Sequence, residues 1–287
     1  MLQVARLAPQ QLGESRDLVA AFLNSHLNPD GGFQDRSGDS DLYYTVFGLE
    51  GLVALQETLP SDSVARFLHK FGNGQGLDFV HLACLARCWA NISRNLEGVP
   101  SREILDRIER HRSHDGGYAQ MPGAAVGNVY LAFLALNAYQ DLRAAMPQPE
   151  RLLNSLNGLR ARDGAYANLP NDEHGITTVT AAAVMLLKSL DGPLDPHLSV
   201  WLLDRCHSSG GFLATPNAPV PDLLSTATGL HALTALHAPV AGVHDACLDF
   251  VDSLWTNRGG FYGTWLDDTL DCEYTYYGLL ALGHLTV

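Results

Sequence analysis

The chain has 287 residues, 46% of them hydrophobic, and a formal net charge of −13 from 18 Lys and Arg against 31 Asp and Glu. A chain of about this length buries roughly three quarters of its unfolded surface, so disorder is not the expectation. The acidic balance, with no Lys/Arg run anywhere, excludes the electrostatic footprint of a nucleic-acid binder or of a protein held on an anionic membrane.

The first residues, Met1-Leu-Gln-Val-Ala-Arg-Leu, carry no apolar signal core, and no apolar run of about 18 residues follows. A soluble, cytoplasmic protein without a transmembrane segment is expected. Five cysteines, scattered and without a C-x-x-C pair, argue against a disulfide framework.

A short unit recurs along the chain. Asp30-Gly-Gly-Phe33, Asp115-Gly-Gly-Tyr118, Asp163-Gly-Ala-Tyr166, Gly210-Gly-Phe212 and Gly259-Gly-Phe261 are each followed by a polar loop and a Leu/Ala-rich segment. A degenerate turn, Gly72-Asn-Gly-Gln-Gly76, fills the one double-length gap, giving six repeats of roughly 42 to 49 residues. Residues 1–287 therefore read as a single domain.

Two helices fit each repeat. The segments before the turns, Arg16 to His26, Asp62 to Lys70, Arg102 to His111, Glu150 to Arg160, Pro196 to Arg205 and His244 to Trp255, alternate charges around one apolar stripe, which suits an outer helix. Those after the turns, Asp41 to Leu55, Asp78 to Ile92, Gly127 to Tyr139, Thr177 to Leu190, Asp222 to Leu236 and Asp271 to Leu285, are apolar nearly all round, which suits an inner one. The last inner segment stays apolar to its end, whereas an open stack of repeats needs polar caps. Closure of the last repeat on the first is the simplest cover. The expected fold is all-α, an α/α toroid of six inner and six outer helices around a hydrophobic central cavity.

The Gly-Gly-[Phe/Tyr] turn, polar loop and Leu-x-x-Leu helix resemble the repeat of protein prenyltransferase β subunits and of class II terpene cyclases, over essentially the whole chain. The resemblance implies a central pocket for an isoprenoid or other hydrophobic small molecule, with chemistry near the starts of the inner helices. It also implies that a β-type subunit takes an α partner. Independently, inner helices that follow equivalent turns bring their N-termini to one end, where free N–H groups and helix dipoles favour anions.

The side chains expected at those N-termini include Asp41, Tyr44, Asp222, Asp268, Asp271, Glu273 and Tyr274, with Tyr43 and Ser225 nearby. Asp is a favoured N-cap residue, and Asp41, Asp78, Asp222 and Asp271 stand where a cap is wanted. The last repeat carries more acids than one cap requires. Asp267-Asp-Thr-Leu-Asp271 spells the D-D-x-x-D sequence that class I isoprenoid enzymes use to hold Mg²⁺ on a diphosphate, and Asp267 and Asp271 on one helical face would ligate a hard cation.

The prenyltransferase zinc site is not expected. Val220-Pro-Asp-Leu-Leu-Ser225 lacks the family's cysteine, and Tyr274 stands where the family has its histidine. The basic pair that grips diphosphate is missing from Leu213 to Pro221, and no D-x-D-D acid of the cyclases occurs. Glu173-His-Gly175 resembles the family's Glu-Ala-His-Gly, which makes His174 a diphosphate contact by resemblance.

An acid among acids has a raised pKa and serves as a general acid, so Asp268, Asp271 and Tyr274 are the expected catalytic residues. His174, Asp41, Tyr44, Asp222, Trp265 and Tyr277 are the expected substrate contacts, the rings offering cation–π faces to a carbocation. The functional expectation is an isoprenoid enzyme that cyclises or transfers a prenyl chain. The alternative is a non-catalytic binding or scaffold protein that keeps the toroid.

Overall fold

A computed structural model of the chain describes residues 1–286. In chain order its helices are α1 (Leu2–Ala5), α2 (Pro9–Leu12), α3 (Arg16–Ser25), α4 (Leu42–Ala54), α5 (Ser61–His69), α6 (Phe79–Ile92) and α7 (Ser101–Glu109). They continue with α8 (Val129–Asp141), α9 (Pro149–Asn157), α10 (Thr177–Ser189), α11 (His197–Leu203), α12 (Leu223–Ala235), α13 (His244–Ser253) and α14 (Cys272–His284). A two-stranded antiparallel ribbon, β1 (Phe33–Gln34) with β2 (Ser40–Asp41), lies between α3 and α4. Helices α3 to α14 correspond one for one to the expected segments. The four-residue helices α1 and α2 are additional, too short for an apolar period to show.

The alternation of outer and inner helices follows from residue pattern. On α7, Ile104, Leu105 and Ile108 are buried while Arg102, Glu103 and Asp106 face solvent, the single stripe of an outer helix. On α12 every residue except Leu224 and Thr234 is buried, so that helix is enclosed on all sides.

Five of the six turns are fastened by an aromatic residue, all but the degenerate Gly72–Gly76 turn. Phe33, Tyr118, Tyr166, Phe212 and Phe261 are all buried. Their backbones bridge back to the end of the preceding outer helix, at Leu27, Arg112, Arg160, Cys206 and Trp255. Phe33, Tyr118 and Phe212 also bridge forward to the N-cap residues Asp41, Asn128 and Asp222. In four repeats a threonine one turn into the inner helix accepts the aromatic residue's N–H: Thr45 from Phe33 at 2.9 Å, Thr180 from Tyr166 at 3.1 Å, Thr226 from Phe212 at 2.9 Å and Thr275 from Phe261 at 3.4 Å. The ring then seats on a residue without bulk: a Cβ at Gly48 would lie 2.2 Å from the Phe33 ring, and one at Gly278 2.7 Å from the Phe261 ring. Burying each such ring stabilises the fold by roughly 2 kcal/mol.

The chain forms two compact units. One comprises Met1–Pro60 with the chain from Pro196 onward. In it α14 packs between α4 and α12, and α1 lies against α14 and α4. The approach at Gly283 admits no side chain, since a Cβ there would sit 2.1 Å from the Val4 carbonyl oxygen. The apolar end of the last helix is thus covered by the first repeat and by α1. At the far end of the same helices His231 and His284 are buried, with Nδ1 of His231 3.0 Å from Nε2 of His284. The other unit, Ser61–Asp195, holds α5 to α10, with α8 between α6 and α10.

Candidate active site

The N-termini of α4 and α14 face one another in the first unit, and the ribbon loop between β1 and β2 reaches across them. Asp41, Asp222 and Asp271 are the N-caps of α4, α12 and α14, accepting from Tyr43 N at 2.7 Å, Ser225 N at 2.7 Å and Tyr274 N at 2.8 Å. Capping uses one oxygen of each and contributes about 1 kcal/mol apiece. The second oxygen of Asp271 accepts from Arg36 Nε at 2.8 Å, and the same guanidinium donates from its terminal nitrogen to Asp267 at 3.0 Å. Arg36 also stands 5.6 Å from the centre of the Tyr274 ring.

Arg36 changes the expected electrostatics. The segment Leu213 to Pro221, where the family carries its basic pair, holds no base. Here the base comes instead from the first repeat, 235 residues from Asp271. Burial works against the Arg36 charge, but Asp271 and Asp267 hold it firmly protonated. Asp271 is itself pushed above the usual carboxylate range, because burial outweighs the Tyr274 N–H and Arg36. Asp222 is raised by burial in the same way.

Glu273, in the first turn of α14, is the most perturbed acid of the group. Burial, reinforced by the charge of Asp271, pushes it up to about 7, although Tyr43 and Arg36 pull the other way. The Tyr43 hydroxyl donates to its Oε1 at 2.5 Å. Beyond this pair the rings continue along α4 and α14: Tyr43 and Phe47 are 4.9 Å apart, Phe47 and Tyr277 5.4 Å, and Phe47 and Tyr276 5.8 Å. Tyr44 and Tyr274 flank the acids. Burial raises both phenols, Tyr44 further through Asp271 and Glu273, and Tyr274 up to about 12 through Glu273, Asp222 and Asp271. The arrangement sets a carboxyl with a raised pKa beside a hydroxyl donor, an arginine shared between two carboxylates and a run of aromatic faces, features suited to proton donation.

Of the residues named from sequence, Asp41, Tyr44, Asp222, Asp271, Tyr274 and Tyr277 come together here. Asp268 does not. It is exposed, its carboxylate accepts from the hydroxyl of Thr269, and it lines a shallow groove with Phe22, His26 and Arg258, because the loop turns it outward at the end of α3. Trp265 is also turned away: its ring packs against Phe250 of α13 and its Nε1 donates to Ser253 at 2.8 Å. His174 lies in the second unit, half exposed, with Nδ1 3.7 Å from the turn acid Asp163. The sequence places Glu273 among the inner-helix N-termini and assigns the acid role to Asp268 and Asp271 instead. The legible signal was its position two residues into a helix whose cap is already an aspartate.

Asp267 and Asp271 do not share a helical face. Residues 267–271 form a loop that enters α14 only at Cys272, and the two carboxylates converge on Arg36. Among the described residues no group of three His, Cys, Asp or Glu side chains is arranged for a metal ion. The donors at the family's zinc position do not fit that ion: Asp222 caps α12, no thiolate follows it, and Tyr274 supplies a phenol raised by burial where an imidazole would be required.

The prenyltransferase α/α-toroid domain model matches residues 6–81, 67–217 and 178–286. The chain belongs to this family. Its fold is accordingly an α/α toroid. No curated protein sequence matches it. Among solved structures it is similar to the type II terpene cyclase MstE from Scytonema, at 15% identity over 96% of this chain and 97% of that one, with a TM-score of 0.65. It is similar to Candida albicans protein geranylgeranyltransferase-I complexed with GGPP, at 15% identity over 94% and 90%, with a TM-score of 0.69. A D-mannose isomerase is matched at 13% identity over 97% and 98%, with a TM-score of 0.68. At these identities the likeness establishes the fold and leaves the chemistry to this chain's own residues. Among the described residues no helix is long and apolar enough to cross a membrane.

Proposed function

We propose that this toroid, acting as one domain over residues 1–287, is an isoprenoid enzyme that starts cyclisation of a prenyl chain by proton transfer from Glu273. The observation that carries the reading is the Glu273–Tyr43 pair: a carboxyl pushed up to about 7, with a 2.5 Å donor on one oxygen and aromatic faces behind it. Neutral Glu273 gives its proton to an alkene carbon; the cation formed is met by the faces of Phe47, Tyr276 and Tyr277. The carboxylate left behind is stabilised by the Tyr43 hydroxyl and by the charge of Arg36. Asp271 and Asp267 position Arg36, and Tyr44, Asp222 and Tyr274 line the acids.

Cyclisation is favoured over transfer by charge. Arg36 is already paired with both Asp267 and Asp271, so its charge is balanced before a diphosphate arrives. A transfer that releases diphosphate therefore needs an added cation such as Mg²⁺. The cyclase MstE has been seen with geranylgeranyl dihydroxybenzoate as its substrate, and compounds of that kind are suitable probes.

Purified protein is incubated with farnesyl and geranylgeranyl diphosphate and with a geranylgeranylated aromatic acid, each with and without Mg²⁺, and the products are separated and weighed. The expected result is a product of unchanged mass and altered retention, formed without Mg²⁺. It is lost by at least about 100-fold in Glu273→Gln, the usual scale for removing a general acid. Diphosphate release dependent on Mg²⁺ would instead make transfer the reaction. No product from any substrate, with a melting point that still rises on adding them, would leave a binding protein.

A further inference from the structure

Away from the acids, the turn after α11 is pressed directly onto α13. Any side chain at Gly210 would strike the carbonyl oxygen of Ala246, and one at Gly211 the ring of Phe250. Cys206 belongs to this turn, bridging to Phe212, and Cys247 lies on α13 between Ala246 and Phe250. This packing brings the two thiols close enough for each to shift the other's pKa, with the Gly211 N–H beside Cys247. Both are free, Cys247 fully buried and Cys206 partly exposed, with a further contact from its sulfur to the His207 carbonyl at 3.7 Å. Cys84, Cys88 and Cys272 are all buried.

We infer that Cys206 and Cys247 are a redox-active dithiol that a peroxide converts to a disulfide joining the turn to α13. The pair has the two parts such chemistry needs, an accessible attacking sulfur and a resolving sulfur already close to it. Cys247 holds the Cys206 thiol below its usual range, while Cys206 and burial raise Cys247, so Cys206 is the nucleophile. Its thiolate attacks one oxygen of hydrogen peroxide. The S–O bond forms as the O–O bond breaks, and the departing hydroxide takes up a proton to become water. The Cys247 sulfur then attacks the sulfenic sulfur, forming S–S and breaking S–O; the second hydroxide takes the Cys247 proton. Two thiols and one peroxide thus give one disulfide and two waters.

The cross-link would close a loop of about 40 residues and fasten the turn that presents Phe212 to Thr226 and so sets the start of α12. The folded protein is treated with a few equivalents of hydrogen peroxide, unfolded, alkylated and digested. The expected result is a cross-linked peptide pair containing Cys206 and Cys247, reversed by dithiothreitol and absent in Cys206→Ser, with Cys84, Cys88 and Cys272 alkylated throughout. The oxidised protein should melt about 5 °C or more above the reduced one. Recovery of Cys247 as an alkylated thiol while Cys206 goes to sulfinic acid would overturn the proposal, as would full alkylation of both. Neither outcome bears on Glu273.

Discussion

Glu109 and Glu273 are the same side chain in two different settings. In the second unit Glu109 receives the hydroxyls of Tyr118 and Tyr139, the latter at 2.9 Å, and two nitrogens of Arg112 at 2.9 and 3.1 Å. Burial would raise it, yet these donors hold it below the usual carboxylate range. In the first unit Glu273 has one hydroxyl donor and a neighbouring carboxylate, and burial takes it up to about 7. Glu109 is both shallower and better supplied with donors, and together these set the opposite directions. A carboxylate met by four donors is a structural anchor, since Arg112 also binds the carbonyls of Gly116 and Pro147. One met by a single donor and a neighbouring carboxylate is pushed upward instead.

Glu109→Gln leaves a half-buried arginine without its partner and is expected to cost about 3 kcal/mol in urea unfolding, with turnover per folded molecule unchanged. The two acids should also give opposite pH slopes. The raised Glu273 favours the folded chain below its ordinary value of 4.5, an advantage lost as pH rises to about 7 and worth at most ~3 kcal/mol. The lowered Glu109 does the reverse, adding stability above its ordinary value that is lost as pH falls through its folded one. Unfolding of Glu273→Gln followed from pH 4 to 8 should flatten the first slope and leave the second.

Arg36→Met is next in size. It removes the cation from buried Asp271, and because the arginine is 40% exposed the expected loss is about 2 kcal/mol. The positive charge that lowers Glu273 goes with it, so the high-pH limb of activity should move upward. A pH–rate profile identical to wild type would separate Arg36 from the acid. Tyr43→Phe has the smallest effect, about 1 kcal/mol on stability, and should shift that limb the same way, since the hydroxyl stabilises the carboxylate.

The twelve helices were legible because most repeats state the same rule again: a glycine turn, an aromatic plug, a cap, then an apolar run, with the aromatic missing after Gly72–Gly76 and the side-chain cap missing at α10. A threonine one turn inside α4, α10, α12 and α14 states it once more at the level of single hydrogen bonds. The site was only half legible. Asp222 and Asp271 announce themselves as caps, and the aromatics of α4 and α14 follow from helical spacing. The role of Arg36 depends on where a ribbon loop of the first repeat lands on the last, which no local pattern encodes. Asp267 and Asp268 look equivalent in sequence, yet the loop turns one toward Arg36 and the other outward. Glu273 differs from Glu109 through neighbours distant along the chain, and pKa belongs to neighbours.

The packing of α4 against α14 and the bond from Arg36 to Asp271 join parts of the chain 235 residues apart. On a ribosome adding about 5 to 20 residues per second, α4 emerges tens of seconds before the helix that covers it. The apolar surface of α4 therefore stays uncovered until α14 is made, and only then do Tyr43 and Glu273 meet. A chain stopped before α14 would leave the face of α4 that this helix covers open to solvent.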